Sequence, residues 1–237
     1  MLLSREKVRR EGMPVQEMLE VGVCLALVGG VLDAYTFYLH GGVFCNAQTG
    51  NLILMCLSLT EGDLARALSY LIPILAFIAG TACAVRMKLR FTRWQSLSWY
   101  HLVLVIEAEV LLFIGLLPPG APNYLISAVI SFVCSLQVNG FQRLEGAPFA
   151  TTYCTGNIRS ATENAVRRFS EGDRAAGRKF FQYVAIILFF CLGVALGRLA
   201  TIGLGQKSIW LCSLILLLSL AMMYWFERQK GDGPSQG

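Results

Sequence analysis

The residues best placed to do chemistry are two copies of one tripeptide. Thr49-Gly50-Asn51 recurs as Thr155-Gly156-Asn157, an offset of 106 residues in a chain of 237, each time just after an apolar helix of membrane length. The chemistry they offer is non-covalent. Glycine accepts backbone angles that other residues resist, so it permits a helix to break and restart. Thr and Asn side chains can cap the freed amides. A helix that begins at mid-membrane aims unpaired N–H groups and the positive end of its dipole at the centre. Two such starts facing one another make a neutral, hydrogen-bonding constriction, suited to a small polar or anionic solute and unfriendly to cations. Against this stands a purely structural use, in which each glycine closes a tight helix contact and nothing passes.

Other polar residues fall at membrane depth. By the same offset Asp33 pairs with Asn139, and Gln137, Asn139 and Gln142 make the end of the fourth helix polar. Asp33 sits two-thirds of the way along the first helix, where an unpaired carboxylate is expensive. It is expected either to accept hydrogen bonds from the Thr-Gly-Asn backbone or to exchange a proton. Asn46, Asp33 and Asn139 would stand behind a pathway lined by Thr49, Gly50, Asn51, Thr155, Gly156 and Asn157. Glu107 and Glu109 lie at the centre of the third crossing, about 200° apart around a helix, so both cannot face one partner. One would face the bundle interior, with Glu107 the candidate proton site. The other would meet a subunit contact or snorkel, which allows a homo-oligomer. His40 and His101 fall near helix ends and read as interfacial residues.

Enzyme and cofactor signatures are missing. There is no Gly-x-Ser-x-Gly, no phosphate-binding glycine loop followed by Lys and no His-Glu-x-x-His, so no catalytic residues or cofactor are expected. The eight cysteines form no Cys-x-x-Cys and no zinc spacing; they read as small buried residues and no metal is expected.

The elements that must position these residues are membrane helices. Hydrophobic residues make up 55 % of the chain and charged ones 15 %, too apolar for a soluble domain. The net charge of +5 is no nucleic-acid footprint, since the basic residues sit between apolar runs. Six runs can span a core of about 30 Å, near residues 20–39, 65–87, 97–117, 123–142, 179–200 and 207–226. Segments 43–60 and 148–169 carry the tripeptides; the first is apolar enough to span and the second is not. No cleavable signal peptide is apparent, and residues 229–237 read as a disordered tail.

Charge placement chooses between six and eight crossings. With six crossings and a cytoplasmic N-terminus, seventeen of the twenty Lys and Arg residues lie inside, leaving Arg66, Arg198 and Lys207 outside. With eight, the best split is thirteen against seven. Six crossings obey the positive-inside rule better. Each half then holds three crossings and one segment that enters and returns, and an odd number per repeat inverts the second copy. The repeats are placed at about 18–118 and 122–228 of a single membrane domain. Small residues at spacings of four, Gly22-Ala26-Gly30-Ala34, Ala76-Gly80-Ala84 and Gly193-Gly197, are expected at close helix crossings. Trp94, Trp99, Tyr100, Trp210, Tyr224 and Trp225 are expected as interfacial anchors, and the Glu-Gly-Asp stretches at 61–63 and 171–173 as interhelix turns.

Asp33-Ala34 with Phe37, followed by the run from Gly41 to Asn51, resembles the first signature of the YoaK-like family of bacterial inner-membrane proteins. Gln137-Val138-Asn139 and the run from Ala150 to Asn157 resemble the second. The resemblance covers about residues 18–228. It implies a helical protein of the bacterial plasma membrane and implies no substrate, because that family is known mainly as proteins of unknown function. The expectation is therefore an all-α integral membrane protein whose partners are the bilayer and a small polar or anionic solute, acting as channel or carrier. A non-transporting scaffold or sensor, or a lipid-active membrane enzyme, are the alternatives.

Overall fold

The computed structural model describes residues 12–91, 98–118, 120–149 and 154–231. Eight α-helices follow in order: α1 Leu19–Leu39, α2 Gln48–Thr60, α3 Leu64–Phe91, α4 Trp99–Leu116, α5 Asn123–Gly140, α6 Cys154–Ser170, α7 Arg174–Leu204 and α8 Trp210–Gly231. Five stretches are long and apolar enough to cross a membrane, and the last, Arg174–Lys230, is broken at Gly205–Ile209 into α7 and α8. The chain is an all-α, multi-pass membrane protein. One feature escaped the sequence reading: a two-residue hairpin, β1 Arg143–Leu144 with β2 Ala147–Pro148, between α5 and α6.

Helix limits follow local chemistry. α1 stops where Gly41 and Gly42 take φ of 87° and 74°, angles that carry little cost only for glycine. The turns before α3 and α7 are built alike. Gly62 and Gly172 have positive φ; Asp63 Oδ1 accepts from Arg66 N at 2.9 Å, and Asp173 Oδ1 from Ala175 N at 2.8 Å. The Glu-Gly-Asp stretches are thus capped corners. α8 continues to Gly231, three residues into the stretch read as tail; residues 232–237 lie outside the described residues.

Small residues set the close crossings. A Cβ added at Gly30 would overlap the Phe190 carbonyl, and one at Gly193 the Leu27 carbonyl, so α1 and α7 touch backbone to backbone. A Cβ at Gly80 would fall 2.5 Å from the Phe132 carbonyl oxygen, bringing α3 against α5 in the same manner. Trp99 is buried against this bundle instead of anchoring at an interface, because its ring fills the space beside Gly140. Trp94 lies outside the described residues.

The helix pairings have a regularity of their own. The main contacts are α1 with α7, α3 with α5, α2 with α3, α6 with α7, α4 with α5, α8 with α1, α4 with α8, and α1 with α5. Exchanging α1 with α5, α2 with α6, α3 with α7 and α4 with α8 returns the same set. The helices α1 and α5 run antiparallel: His40 Nδ1 meets Asn123 Oδ1 at 3.0 Å at one end, and the Gln137 amide lies 3.5 Å from the Leu25 carbonyl towards the other. At the end of α1 where that helix finishes, the Arg198 guanidinium lies 4.0 Å above the Tyr38 ring and Lys207 faces the Trp210 ring.

Candidate functional site at the re-entrant helix

The segment after α1 turns back into the protein. From His40 the chain descends beside α1, where Asn46 N donates to Asp33 Oδ1 at 2.9 Å and Asn46 Nδ2 to the Gly29 carbonyl at 3.5 Å. Ten helical residues separate Gly29 from Leu39, a depth of about 15 Å, so the loop reaches the middle of the crossing. There α2 begins. Its 13 residues climb about 20 Å, too little for a core of about 30 Å, and end at the corner that leads into α3. The first tripeptide therefore sits at the start of a helix that begins halfway along α1 and is too short to span by itself, although segment 43–60 is apolar enough to do so.

Its side chains do not cap that helix as expected. Ala47 is the N-cap, with no side-chain bond to the first turn. Asn51 instead folds back on the descending loop: Oδ1 accepts from Phe44 N at 2.9 Å, while Nδ2 donates to Phe44 O at 2.6 Å and to Gln48 Oε1 at 2.9 Å. Gly50 makes room for the Phe44 ring, which would lie 2.9 Å from an added Cβ and stacks on Phe37. Thr49 is exposed. Asp33 meets the loop just before α2: its Oδ1 accepts from Asn46 N at 2.9 Å and from Cys45 Sγ at 3.3 Å, while the first-turn amides of Gln48, Gly50 and Asn51 bond to the Asn46 and Ala47 carbonyls.

The second copy shares the burial pattern and lacks the acid. Thr155 and Gly156 are exposed and Asn157 is buried, matching Thr49 and Asn51 residue for residue. Cys154, which starts α6, lies within electrostatic reach of both Cys191, midway along α7, and Asp33. Asn139, the counterpart of Asp33, donates to Thr81 Oγ1 at 3.2 Å and Ser135 O at 2.8 Å. It ties α5 to α3, and residues 150–153 of the second signature lie outside the described residues. The two tripeptides were expected to meet. They do not form a main contact, since α2 packs on α3 and α6 on α7, and four of their six residues have only intermediate or high exposure.

What gathers in the centre is a polar group spread over four helices and the loop before α2. Glu107 is fully buried on α4, and Glu109 on the same helix faces outward. Gln137 of α5 lies against Glu107; with its nitrogen turned inward it donates to Oε1 at 2.8 Å and to Oε2 at 3.1 Å. Cys134 of α5 faces Cys45 and Asn46 and lies within reach of both Asp33 and Glu107; Cys212 of α8 lies within reach of Glu107 and Cys134. Asp33 Oδ2, Tyr35 Oη, Ser131 Oγ and Ser213 Oγ are buried without a hydrogen-bond partner. Unmet buried polar atoms are uncommon because each costs about 1–3 kcal/mol.

The sequence reading missed the three thiols that join Asp33 to Glu107. Cys45 lies within the first signature, which was a usable signal; Cys134 and Cys212 carried none, because cysteine on an apolar helix is ordinarily a small core residue. His40 is likewise buried and bonded to Asn123, and His101 pairs with Glu227 at 3.4 Å beside a groove of about 520 Å³ between α4 and α8. A second cavity, of about 450 Å³, opens where Glu17, Lys88, Gln142 and Arg143 meet at the opposite end of α1 from His40. Neither cavity is lined by a tripeptide residue. Among the described residues no group of three His, Cys, Asp or Glu is arranged to hold a metal.

The family model described as "Protein of unknown function (DUF1275)" matches residues 21–222. The UPF0700 transmembrane protein YoaK of Bacillus subtilis (strain 168) is 24 % identical over 205 residues, which cover 84 % of this chain and 90 % of that protein. No solved structure matches at a significant level.

Proposed function

The chain belongs to the DUF1275 family of proteins of unknown function, and we propose that it moves a small polar solute across the bacterial plasma membrane, with both termini cytoplasmic and no catalytic step. One observation carries the reading: two buried carboxylates, Asp33 at the start of the short helix α2 and Glu107 at the midpoint of α4, lie on either side of the buried Cys134 thiol, with no ion pair on either among the described residues. Polar groups at that depth are costly, and a bundle held by backbone-to-backbone crossings at Gly30, Gly80 and Gly193 has no structural need of them.

The architecture supports the same reading. An exchange of halves that preserves the helix pairings, together with an antiparallel α1 and α5, is what two inverted repeats would give, and such repeats suit alternating access about a central site. The Asp33 carboxyl stands beside the first break, bonded to Asn46 N, which weighs against an anion there and favours a neutral polar solute. The rival is a scaffold in which the breaks are purely structural. It draws support from the outward-facing Thr49, Thr155 and Gly156 and from the Phe44 ring that alone accounts for Gly50.

The test is uptake by proteoliposomes offered a panel of small neutral, zwitterionic and anionic solutes. The proposal expects at least one solute to enter faster than into protein-free vesicles, and Asn51→Leu to abolish that uptake while inserting normally. Uptake indistinguishable from protein-free vesicles across the panel favours the scaffold.

A further inference from the structure

We infer that Glu107 binds a proton and that the Gln137 amide turns over when it does; what the proton drives rests on the transport reading above. Glu107 is at the midpoint of α4 and fully buried, and among the described residues no Lys, Arg or His forms an ion pair with it. The groups around it are few. Gln137 and the Cys134 thiol face it from α5, the Cys212 thiol from α8, and Asp33 of α1 lies beyond Cys134. On its own helix, Glu109 points to the exposed side. An ionised carboxylate in such a place needs donors, and a neutral one needs an acceptor for its proton.

Gln137 can serve either form, through opposite orientations of one amide. With nitrogen towards Glu107, it donates to both carboxylate oxygens at 2.8 and 3.1 Å, which suits the ion. With oxygen towards Glu107, Nε2 instead reaches the Leu25 carbonyl of α1 at 3.5 Å, and the carbonyl of Gln137 accepts the proton of a carboxylic acid. Conversion adds one proton to one carboxylate oxygen and makes or breaks no other covalent bond. The turn of the amide keeps one α5–α4 bond, gives up the second and gains an α5–α1 contact. Leu25 lies between Gly22 and Gly30 on the stretch of α1 that crosses α7. Protonation of Glu107 is thereby felt where the two halves of the chain meet, which is where alternating access would need it.

The test is the infrared spectrum of the carboxylic-acid carbonyl, followed with pH in proteoliposomes. Wild type should show an acid band that vanishes as pH rises. Glu107→Gln should lose it and Asp33→Asn should keep it. In Gln137→Leu the band should persist to higher pH, because the ion loses two charge-assisted donors. A band pattern in folded Glu107→Gln identical to wild type overturns the inference. Should that variant fail to fold, an unchanged titration in Gln137→Leu overturns it equally. A Glu107-dependent band in a protein that moves no solute refutes transport and leaves the proton site standing.

Discussion

Asn51 grips Phe44 with both ends of its amide, accepting from the Phe44 N–H at 2.9 Å and donating to its carbonyl at 2.6 Å. This is the pairing of one extended strand with another, made by a side chain, and it holds the descending loop against the helix that returns. Asn51→Ala leaves the half-buried Phe44 N–H and C=O without this partner, at up to about 1–3 kcal/mol each where water cannot replace it. The expected outcome is a lower thermal unfolding midpoint in detergent with undiminished membrane insertion. An unchanged midpoint would show that water replaces the amide.

The two glycines of the tripeptides should behave differently despite their matched positions. A Cβ at Gly50 meets the Phe44 ring at 2.9 Å, whereas nothing lies within 4 Å of one at Gly156. Gly50→Ala is expected to destabilise by about 1–2 kcal/mol, and Gly156→Ala to be neutral or to stabilise by up to about 1 kcal/mol through helix propensity. Denaturation of the two variants side by side decides it. Equal effects would mean that the Phe44 ring yields.

The α1–α7 crossing should be intolerant of any side chain. Gly193→Ala drives a methyl into the Leu27 carbonyl and Gly30→Ala into that of Phe190, so both are expected to prevent recovery of monodisperse protein. A Gly203→Ala control, where nothing lies within 4 Å, should elute as wild type. Normal elution of Gly193→Ala would require the helices to be further apart.

The corner before α7 should respond to acid. The backbone N–H groups of Ala176 and Ala175 hold the Asp173 carboxyl below its ordinary range. A depressed carboxylate contributes stability that is present above its unfolded-state value and is lost as pH falls through the folded value. The protection of the amides in the first turn of α7, meaning the exchange rate relative to the intrinsic rate at the same pH, should therefore fall on acidification, an effect absent in Asp173→Ala. Protection that stays constant with pH in wild type would contradict this.

The helices were legible because apolar length and small-residue spacing act locally: the limits of α1, α4 and α5 fall within two residues of those read from sequence. Charge placement points to re-entry of segment 43–60, since counting Lys and Arg needs no coordinates, and the 13 residues of α2 accord with it. The contacts of the tripeptide were not. That Gly50 answers to the Phe44 ring, and that Asn51 binds loop backbone instead of capping α2, depends on a chain reversal at Gly41 and Gly42 whose path no periodicity records. The hairpin at Arg143–Pro148 escaped for a similar reason. It is held by distant partners, with Glu145 N donating to Glu17 O at 2.8 Å and Tyr183 Oη to Pro148 O at 2.7 Å. The link from Asp33 to Glu107 runs through thiols on three separate elements, which only packing brings together.

The claim on which the account turns is that the polar centre opens to water while the protein works, and Cys45 reports it without knowledge of the solute. Cys45 is fully buried in this structure, bonded to Asp33 at the start of α2. With the other seven cysteines replaced, a small membrane-impermeant thiol reagent applied to proteoliposomes should modify Cys45 slowly but to completion. Cys45 that stays unmodified in folded protein, from either side and over any time that the vesicles survive, would contradict the account.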